Sequence, residues 1–354
     1  MNDRKSSFRQ GPVIAMMLFP ALGFLLLAVR DGSTTAALLA GALPLLILLA
    51  DTVIAGIMGA DRLLVSMTAF FCSLGLLVRA CTLPEITLPA LAESAADLSG
   101  AADALILPAV VLAAAFGLSR RQVLLSFLSL GVGAALLFLL GKHESALLLG
   151  AAVVLMYWMS GAGPFGLLAA VCALVGMAFL AWSLSPEIRD AFGIWQDPEA
   201  FAESGAPLPA SLAAISAGGL FGTGPGLVSF DLLPASSPWF AFAALCHQFG
   251  MIAAILTLIL FGLMPLRGAS AARAARGSFH SLSAAGVSLL LGLAALSGAA
   301  GAAGILPSTG IPFPFLSGGT SLIRDLLLSA ILCWVSGRNR QDLKEDASLA
   351  MLAH

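Results

Sequence analysis

The sequence predicts an all-α membrane protein with about ten transmembrane helices. Its 354 residues are 59% hydrophobic and only 10% charged, whereas soluble domains carry about 25% charged residues. Apolar stretches long enough to cross a hydrocarbon layer of about 30 Å recur from Pro12 almost to the end of the chain. They lack the polar and apolar alternation that a membrane β-barrel requires. Since lipid cannot satisfy open backbone groups, this composition favours spanning helices.

Ten candidate spans result when the chain is divided at charges, prolines and glycines. Their approximate bounds are 12–29, 35–59, 63–82, 101–118, 122–141, 145–160, 164–184, 240–266, 279–304 and 316–336. The predicted organisation is an N-terminal tail at 1–11, helices one to seven at 12–184, a long extracytoplasmic loop at 185–239, helices eight to ten at 240–337 and a C-terminal tail at 338–354. The apolar segment LAAISAGGLFG in the loop is expected to lie in the membrane interface as a short helix. A solvated connector is the alternative for this loop.

The basic residues predict the orientation of these spans. With a cytoplasmic N-terminus, 12 of the 17 Lys and Arg residues lie on the cytoplasmic side and four on the other, while Arg324 lies inside the last span. This asymmetry follows the positive-inside rule. We therefore expect both termini in the cytoplasm, and the first apolar run to be a retained helix rather than a cleaved signal peptide.

Cofactor and nucleic-acid chemistry find little support in the sequence. The five cysteines are scattered, without a CxxC pair or a metal-like spacing to histidine, so we expect them to be packing residues. No metal site and no cofactor are predicted, and the sequence does not indicate a divalent cation. The basic residues are dispersed rather than gathered into one patch, so no nucleic-acid partner is expected. Membrane lipids are the expected surroundings.

Three segments in the C-terminal half are rich in glycine and proline. They are SAGGLFGTGPGL at 216–227, LLPASSPWFAFAALCHQFGMIAAIL at 232–256 and GAAGILPSTGIPFPFLSGGTSL at 301–322. Glycine-dense turns let the backbone fold sharply or approach a ligand, and the prolines of IPFPF forbid a regular helix. Both features indicate a shaped cavity on the extracytoplasmic side. Each one alone is equally compatible with an ordinary connecting loop.

In this order and at these separations, the three segments resemble those of the SEDS family of FtsW, RodA and SpoVE. The family has GGLFGxGxG-like, LPEAHTDFIFAxxGEExG-like and GLLPxTGIPLPFLSYGGSS-like segments in succession, and the upstream KHESALLLGAAVVLMYWMSG is similar to its QPDLGTA segment. The resemblance implies a ten-helix SEDS fold, multi-pass in a bacterial cytoplasmic membrane. It also implies a role in peptidoglycan assembly, for division, shape or a specialised wall process.

The activity that the resemblance implies is glycosyltransfer that polymerises lipid II, an undecaprenyl-linked sugar. Members of the family usually act beside a single-span class B penicillin-binding protein. The family's candidate base is the Asp of LPEAHTD, which is suited to take the proton from an attacking sugar hydroxyl. Here Leu233 and Pro234 match its LP, and Trp239 stands at the Asp position. A tryptophan cannot act as that base, so the sequence leaves enzymatic activity open.

Two other carboxylates are candidate surrogates for the missing base. Asp231 lies three residues before Pro234, and Glu144 is predicted to lie on the same side of the membrane. The alternative for each is a solvated loop acid or a helix cap.

Other polar signatures also depart from the family pattern. Lys142, His143 and Glu144 replace QPD, His247 and Gln248 replace two glutamates, and Gly298 stands where Asn is common. This pattern is expected when a fold is kept and its chemistry is altered or lost. The expected substrate-binding residues are Lys142, His143, His247, Ser317, Thr320 and Arg324.

Among the charged residues inside predicted spans, Asp51, Arg324 and Asp325 are the candidates for a buried role. A charge at the centre of a spanning helix costs about 2.5–3.5 kcal/mol on insertion scales. Adjacent residues point about 100° apart on a helix, so Arg324 and Asp325 need not pair with each other. The guanidinium of Arg324 suits a pyrophosphate; the alternatives are ion pairs of Arg324 with Asp51 or of Asp325 with Arg79. His247 is either a hydrogen-bonded packing residue or a titrating group.

Three functions remain open at this point. The first is a wall protein that binds an undecaprenyl-linked sugar, with glycosyltransfer as the implied activity. The second is a catalytically degenerate SEDS scaffold or regulator of a partner wall synthase. The third is a transporter or lipid flippase, which is disfavoured because the sequence shows no convincing inverted repeat and no pair of interrupted half-helices.

Overall fold

The computed structural model describes residues 3–83, 86–87, 98–161, 163–200, 207–226, 240–308 and 310–352. The helices in these ranges are α1 Asp3–Asp31, α2 Thr34–Leu49, α3 Arg62–Thr82, α4 Leu98–Ser119, α5 Val123–Leu139, α6 His143–Met159, α7 Pro164–Leu184, α8 Pro186–Gln196, α9 Pro207–Gly218, α10 Ala241–Ala274, α11 Ser278–Ala302 and α12 Gly319–Leu352. A π-helical turn at Ala50–Ile54 and a last turn at Ala55–Met58 continue α2.

Ten of these helices have the composition of membrane spans. Eight are long and apolar enough to cross a membrane, and α5 and α6 are shorter apolar helices of 17 residues each. The two remaining helices, α8 and α9, follow the seventh span. The predicted all-α membrane fold with about ten spanning helices is therefore confirmed.

Helices α3 and α11 form the centre of the bundle. In each, 72% of the most apolar window is buried, against 17% in α2 and α7. Helix α11 contacts α4, α6, α10 and α12, and its sequence is rich in Ala, Gly and Ser, which allow helices to approach closely. The outer helices present large apolar side chains, such as Phe165, which is 87% exposed. This is the surface that a lipid environment requires.

Helix α10 is interrupted at Gly250, whose φ of 84° and ψ of 170° are not helical. The turn that follows α9 supplies the missing backbone partners. The Met251 N–H donates to the Gly219 carbonyl at 3.0 Å, and the Thr223 N–H donates to the His247 carbonyl at 2.9 Å. These bonds satisfy polar groups that lipid would leave unpaired. The first and second glycine-rich segments are thus packed together.

Residues 310–318 of the third segment fold back into the bundle between α3 and α11. Phe313 and Phe315 are each 1% exposed. A Cβ on Gly298 would lie 2.7 Å from the Phe313 nitrogen, and one on Gly75 would overlap the Phe315 carbonyl. Phe315 has a φ of +65°, an unfavourable value for a bulky residue. Close approach at two glycines therefore holds this segment in the core.

Candidate functional site

A buried ion cluster joins α12 to α4. Arg324 Nε donates to Asp325 Oδ1 at 2.9 Å, and Arg324 Nη1 lies 3.9 Å from Asp103 Oδ2. The other Asp325 oxygen accepts the Phe315 N–H at 2.8 Å. Arg324 is 4% exposed, Asp325 is fully buried and Asp103 is 9% exposed. The cluster therefore fixes the start of α12 against both α4 and the segment that folds back.

These contacts decide one of the alternatives for Arg324. The alternative ion pair with Asp51 is wrong, because Arg324 pairs with Asp325 and Asp103, while Asp51 accepts a hydrogen bond from Ser66 Oγ at 2.9 Å. Adjacent residues do pair here, since the long arginine stem lets Nε turn back to the neighbouring carboxylate. The contact of Asp325 with Arg79 and the binding of pyrophosphate by Arg324 stay predictions.

Sequence reasoning missed Asp103. It lies in the predicted fourth span at 101–118, and its position inside an apolar stretch was the signal that could have found it. Asp103 lies close to the start of α6, because its carboxylate is within hydrogen-bonding reach of Ser145 and within electrostatic range of Lys142.

The start of α6 carries three of the predicted site residues. Lys142 is the N-cap position, and Lys142, His143 and Glu144 are all half-buried. Glu144 lies within electrostatic range of Lys142 and Asp103. The His143 ring meets the Phe138 ring edge-on at 5.1 Å. Lys142 and Glu144 therefore belong to the same polar region as Arg324.

Two atoms of the ion cluster have no hydrogen-bond partner in the described part of the chain. They are Arg324 Nη2 and Asp103 Oδ1, both buried. Buried polar atoms are nearly always hydrogen-bonded in native proteins. A donor and an acceptor in one cluster suit a group that can both accept and donate, such as a hydroxyl.

Thr320 lies in the first turn of α12, on the same helix as Arg324, and Ser317 lies in the bend two residues before that helix begins. Ser317 is 9% exposed, and its Oγ lies 2.6 Å from Ser321 Oγ. Thr320 is half-buried in the first turn. Gly318 packs against Arg79, since a Cβ there would lie 3.2 Å from its Nη1. Polar groups thus extend from the ion cluster to this end of α12.

His247 belongs to a different set of contacts. It is 4% exposed, and its Nδ1 lies 3.2 Å from Thr223 Oγ1, which also donates to the His247 carbonyl at 3.1 Å. The next residue, Gln248, is 1% exposed, and both of its amide atoms lack a partner among the described residues. His247 therefore fastens the glycine-rich turn to the interrupted helix.

A small cavity lies between α9 and α11. Phe240, the residue after Trp239, lines it together with residues of α9, α11 and the 308–311 segment. Its volume of about 20 Å³ admits about one water molecule. The polar side chains among its described lining residues are Ser211, Ser297 and Ser308. Asp231 and Trp239 themselves lie outside the described residues.

Residues 104–341 match the family model of FtsW, RodA and SpoVE, described as cell cycle protein. The chain belongs to the FtsW/RodA/SpoVE family. This confirms the resemblance carried by the ordered glycine and proline segments. The helical bundle, the interrupted helix α10 and the third segment that folds into the bundle are therefore those of a family member.

Named relatives support the same assignment. The chain is 33% identical over 167 residues to the peptidoglycan glycosyltransferase RodA of Mycobacterium tuberculosis (strain H37Rv), covering 47% of this chain but only 36% of that relative. It is 32% identical over 248 residues to the probable peptidoglycan glycosyltransferase FtsW of Geobacter sp. (strain M18), covering 66% of this chain and 67% of the relative.

A solved structure shares the fold. It is described as "Structural coordination of polymerization and crosslinking by a peptidoglycan synthase complex", and the matched chain has a TM-score of 0.55 at 20% identity, covering 93% of this chain and 97% of that one. At this identity the match establishes the common fold alone.

Proposed function

We propose that this family member serves peptidoglycan assembly by binding an undecaprenyl-linked sugar at the outer face of the bacterial cytoplasmic membrane. The observation that carries the proposal is the convergence of the three ordered segments. The turn at 219–224 packs into the break at Gly250, while Phe240 of the second segment and Ser308 of the third line one cavity. This cavity is far smaller than a ligand pocket of about 300 Å³ or more, so the proposal rests on the convergence of the three segments and not on the volume of the cavity.

Peptidoglycan glycosyltransfer is the activity that the names of the relatives support, and lipid II is the substrate that the sequence resemblance implies. The reaction joins an attacking sugar hydroxyl to the anomeric carbon as the bond to undecaprenyl pyrophosphate breaks, and a base must accept the hydroxyl proton. Glu144 is one candidate, because it lies beside Lys142 in the polar region of Arg324. Asp231, which is near Pro234 in sequence, is the other.

A scaffold role is the second candidate. It is favoured by Trp239 at the position of the family Asp, and by the absence of carboxylate and imidazole groups among the described residues that line the cavity. In this case the protein would bind the lipid-linked sugar or a single-span class B penicillin-binding protein without performing transfer itself.

Polymerisation of lipid II by the purified protein in liposomes separates the two candidates. The assay is run with and without a single-span synthase, beside an active relative. If glycan strands form, their loss in Asp231→Ala or Glu144→Gln identifies the base, with Glu199→Gln at an exposed acid as the matched control. If only the relative is active, glycosyltransfer is refuted, and co-purification with a single-span synthase then tests the scaffold role.

A further inference from the structure

A second cavity lies at the opposite, predicted cytoplasmic end of the bundle. Its volume is about 340 Å³, within the range of sites that hold small ligands. Residues at the end of α2 form one wall, including Gly56 and Ile57, and Arg62, Arg340 and Gln341 form the other. This cavity is separate from the polar region around Arg324.

One arginine in the wall of this cavity is held firmly. Arg340 Nη1 donates to the Ala60 carbonyl at 2.9 Å, and Arg340 Nη2 lies 3.6 Å from Asp61 Oδ1. The other Asp61 oxygen accepts from Arg267 Nη1 at 3.0 Å. Asp61 also caps α3 by accepting the Leu63 N–H at 3.2 Å. The charged wall is therefore preorganised by contacts among three helices.

The second arginine of the wall has no such partner. Arg62 is exposed, and it makes no ion pair or side-chain hydrogen bond among the described residues. Asp61, the partner of Arg340, is shared with Arg267. The described lining of the cavity contains two arginines, Arg62 and Arg340, and no carboxylate, so its charged wall is positive.

The arginines Arg276 and Arg338 differ in this respect. Arg276 pairs with Asp346, and Arg338 pairs with Asp342 at 3.6 Å. Each of these guanidinium groups has its own carboxylate, whereas Arg62 has none in the described part of the chain. Arg120 and Arg121 also have no ion pair among the described residues, but unlike Arg62 they do not line this cavity.

The cavity wall formed by the end of α2 includes the exposed apolar residue Ile57, and exposed apolar residues precede it in the chain. Ile57 is 80% exposed, Val53 is 45% exposed and Ile54 is 44% exposed. These residues continue the exposed face of α2, a helix that is mostly unburied. A ligand at this position therefore meets arginines at one end and a lipid-facing apolar surface at the other.

We propose that the cavity binds the headgroup phosphate of an anionic phospholipid from the cytoplasmic leaflet, with the acyl chains along the exposed face of α2. Guanidinium groups bind phosphate through several N–H donors at once, and basic pockets between spanning helices suit anionic headgroups. The exposed apolar residues at the end of α2 favour a lipid over a soluble phosphate. The site is independent of the function proposed for the opposite face.

Native mass spectrometry of the full chain with phosphatidylglycerol, compared with phosphatidylcholine of the same chains, tests the proposal. Arg62→Gln should weaken phosphatidylglycerol binding about fivefold, since one basic residue near anionic lipid contributes about 1 kcal/mol. The matched control is Arg120→Gln, on another predicted cytoplasmic turn and stacked on Phe116. That change should leave the affinity within about twofold of the unmodified protein.

A second pair of variants removes space instead of charge. A Cβ on Gly56 or on Gly41 meets no atom within 4 Å, so both positions accept a side chain. Gly56→Leu should fill the cavity and weaken phosphatidylglycerol binding, whereas Gly41→Leu on the same helix should not. The proposal would be overturned if Arg62→Gln and Arg120→Gln lowered the affinity for phosphatidylglycerol equally, or if Gly56→Leu did not lower it. Competition by soluble glycerol phosphate at similar concentration would also overturn it, by assigning the site to a soluble anion.

Discussion

Gly298 shows how a single residue can depart from the family pattern for a structural reason. It stands where an Asn is common in the family, and the sequence alone attributes this difference to altered or lost chemistry. In the structure, Phe313 crosses α11 at this point, and a Cβ on Gly298 would lie 2.7 Å from its nitrogen. The position is therefore constrained by packing in this protein. The sequence could not reveal this, because the crossing joins residues on different elements.

Gly298→Ala should destabilise the protein by about 1–3 kcal/mol, because the new methyl group meets backbone that cannot turn aside. The matched change is Gly176→Ala in α7, where a Cβ meets nothing within 4 Å. It should be neutral or stabilise by up to about 1 kcal/mol through helix propensity. Unfolding of both variants in mixed micelles measures the difference. Equal stabilities would contradict the close approach of Phe313.

Arg324→Gln should lower the free energy of unfolding by about 3–5 kcal/mol, because two buried carboxylates would lose their shared cation. Arg120→Gln, at an exposed arginine, is the control and should change the free energy of unfolding by less than about 1 kcal/mol. The same unfolding assay applies. If Arg324→Gln lowered the free energy of unfolding as little as the control does, the ion cluster would not stabilise the packing of α12 against α4.

The elements were predicted with uneven success, for a physical reason. Long apolar stretches and turn residues are local signals, so ten spanning helices could be located from the sequence. The break in α10 could not, because no proline stands between 240 and 260 and a single glycine is tolerated inside a helix. Its cause is the turn at 219–224, which is distant in sequence. Likewise, Arg324 was recognised as a buried charge, but its partner Asp103 lies on another helix.

Gly250→Ala should loosen the contact between this turn and α10. A φ of 84° strains an alanine, and its Cβ would overlap the Leu220 carbonyl. Cys246, which is 1% exposed and packs against Gly218, should then react faster with a maleimide in a variant that keeps only this cysteine. Gly262→Ala, in the same helix with open space around it, is the control. Unchanged labelling of Cys246 would show that the turn does not depend on the break.

At the scale of the whole molecule, the orientation in the membrane determines which side each of the two proposed sites faces. The positive-inside asymmetry predicts that the second cavity, lined by Arg62, faces the cytoplasm and that the polar region of Lys142 and Arg324 faces the outside. In spheroplasts, a membrane-impermeant maleimide should label Lys142→Cys but not Arg120→Cys, in a cysteine-free background. Labelling of Arg120→Cys alone would reverse the assignment of both sites. Detergent permeabilisation, which should expose both positions, is the control.

The most direct test of the account is whether the purified protein binds lipid II in nanodiscs more tightly than it binds undecaprenyl phosphate, which lacks the sugars. A site formed by the three converging segments should prefer lipid II, because polar groups at the outer end of the bundle would contact the sugars and pyrophosphate. An active relative serves as the positive control. Equal binding of both lipids, with preference for lipid II in the relative, would contradict a role in peptidoglycan assembly through a lipid-linked sugar.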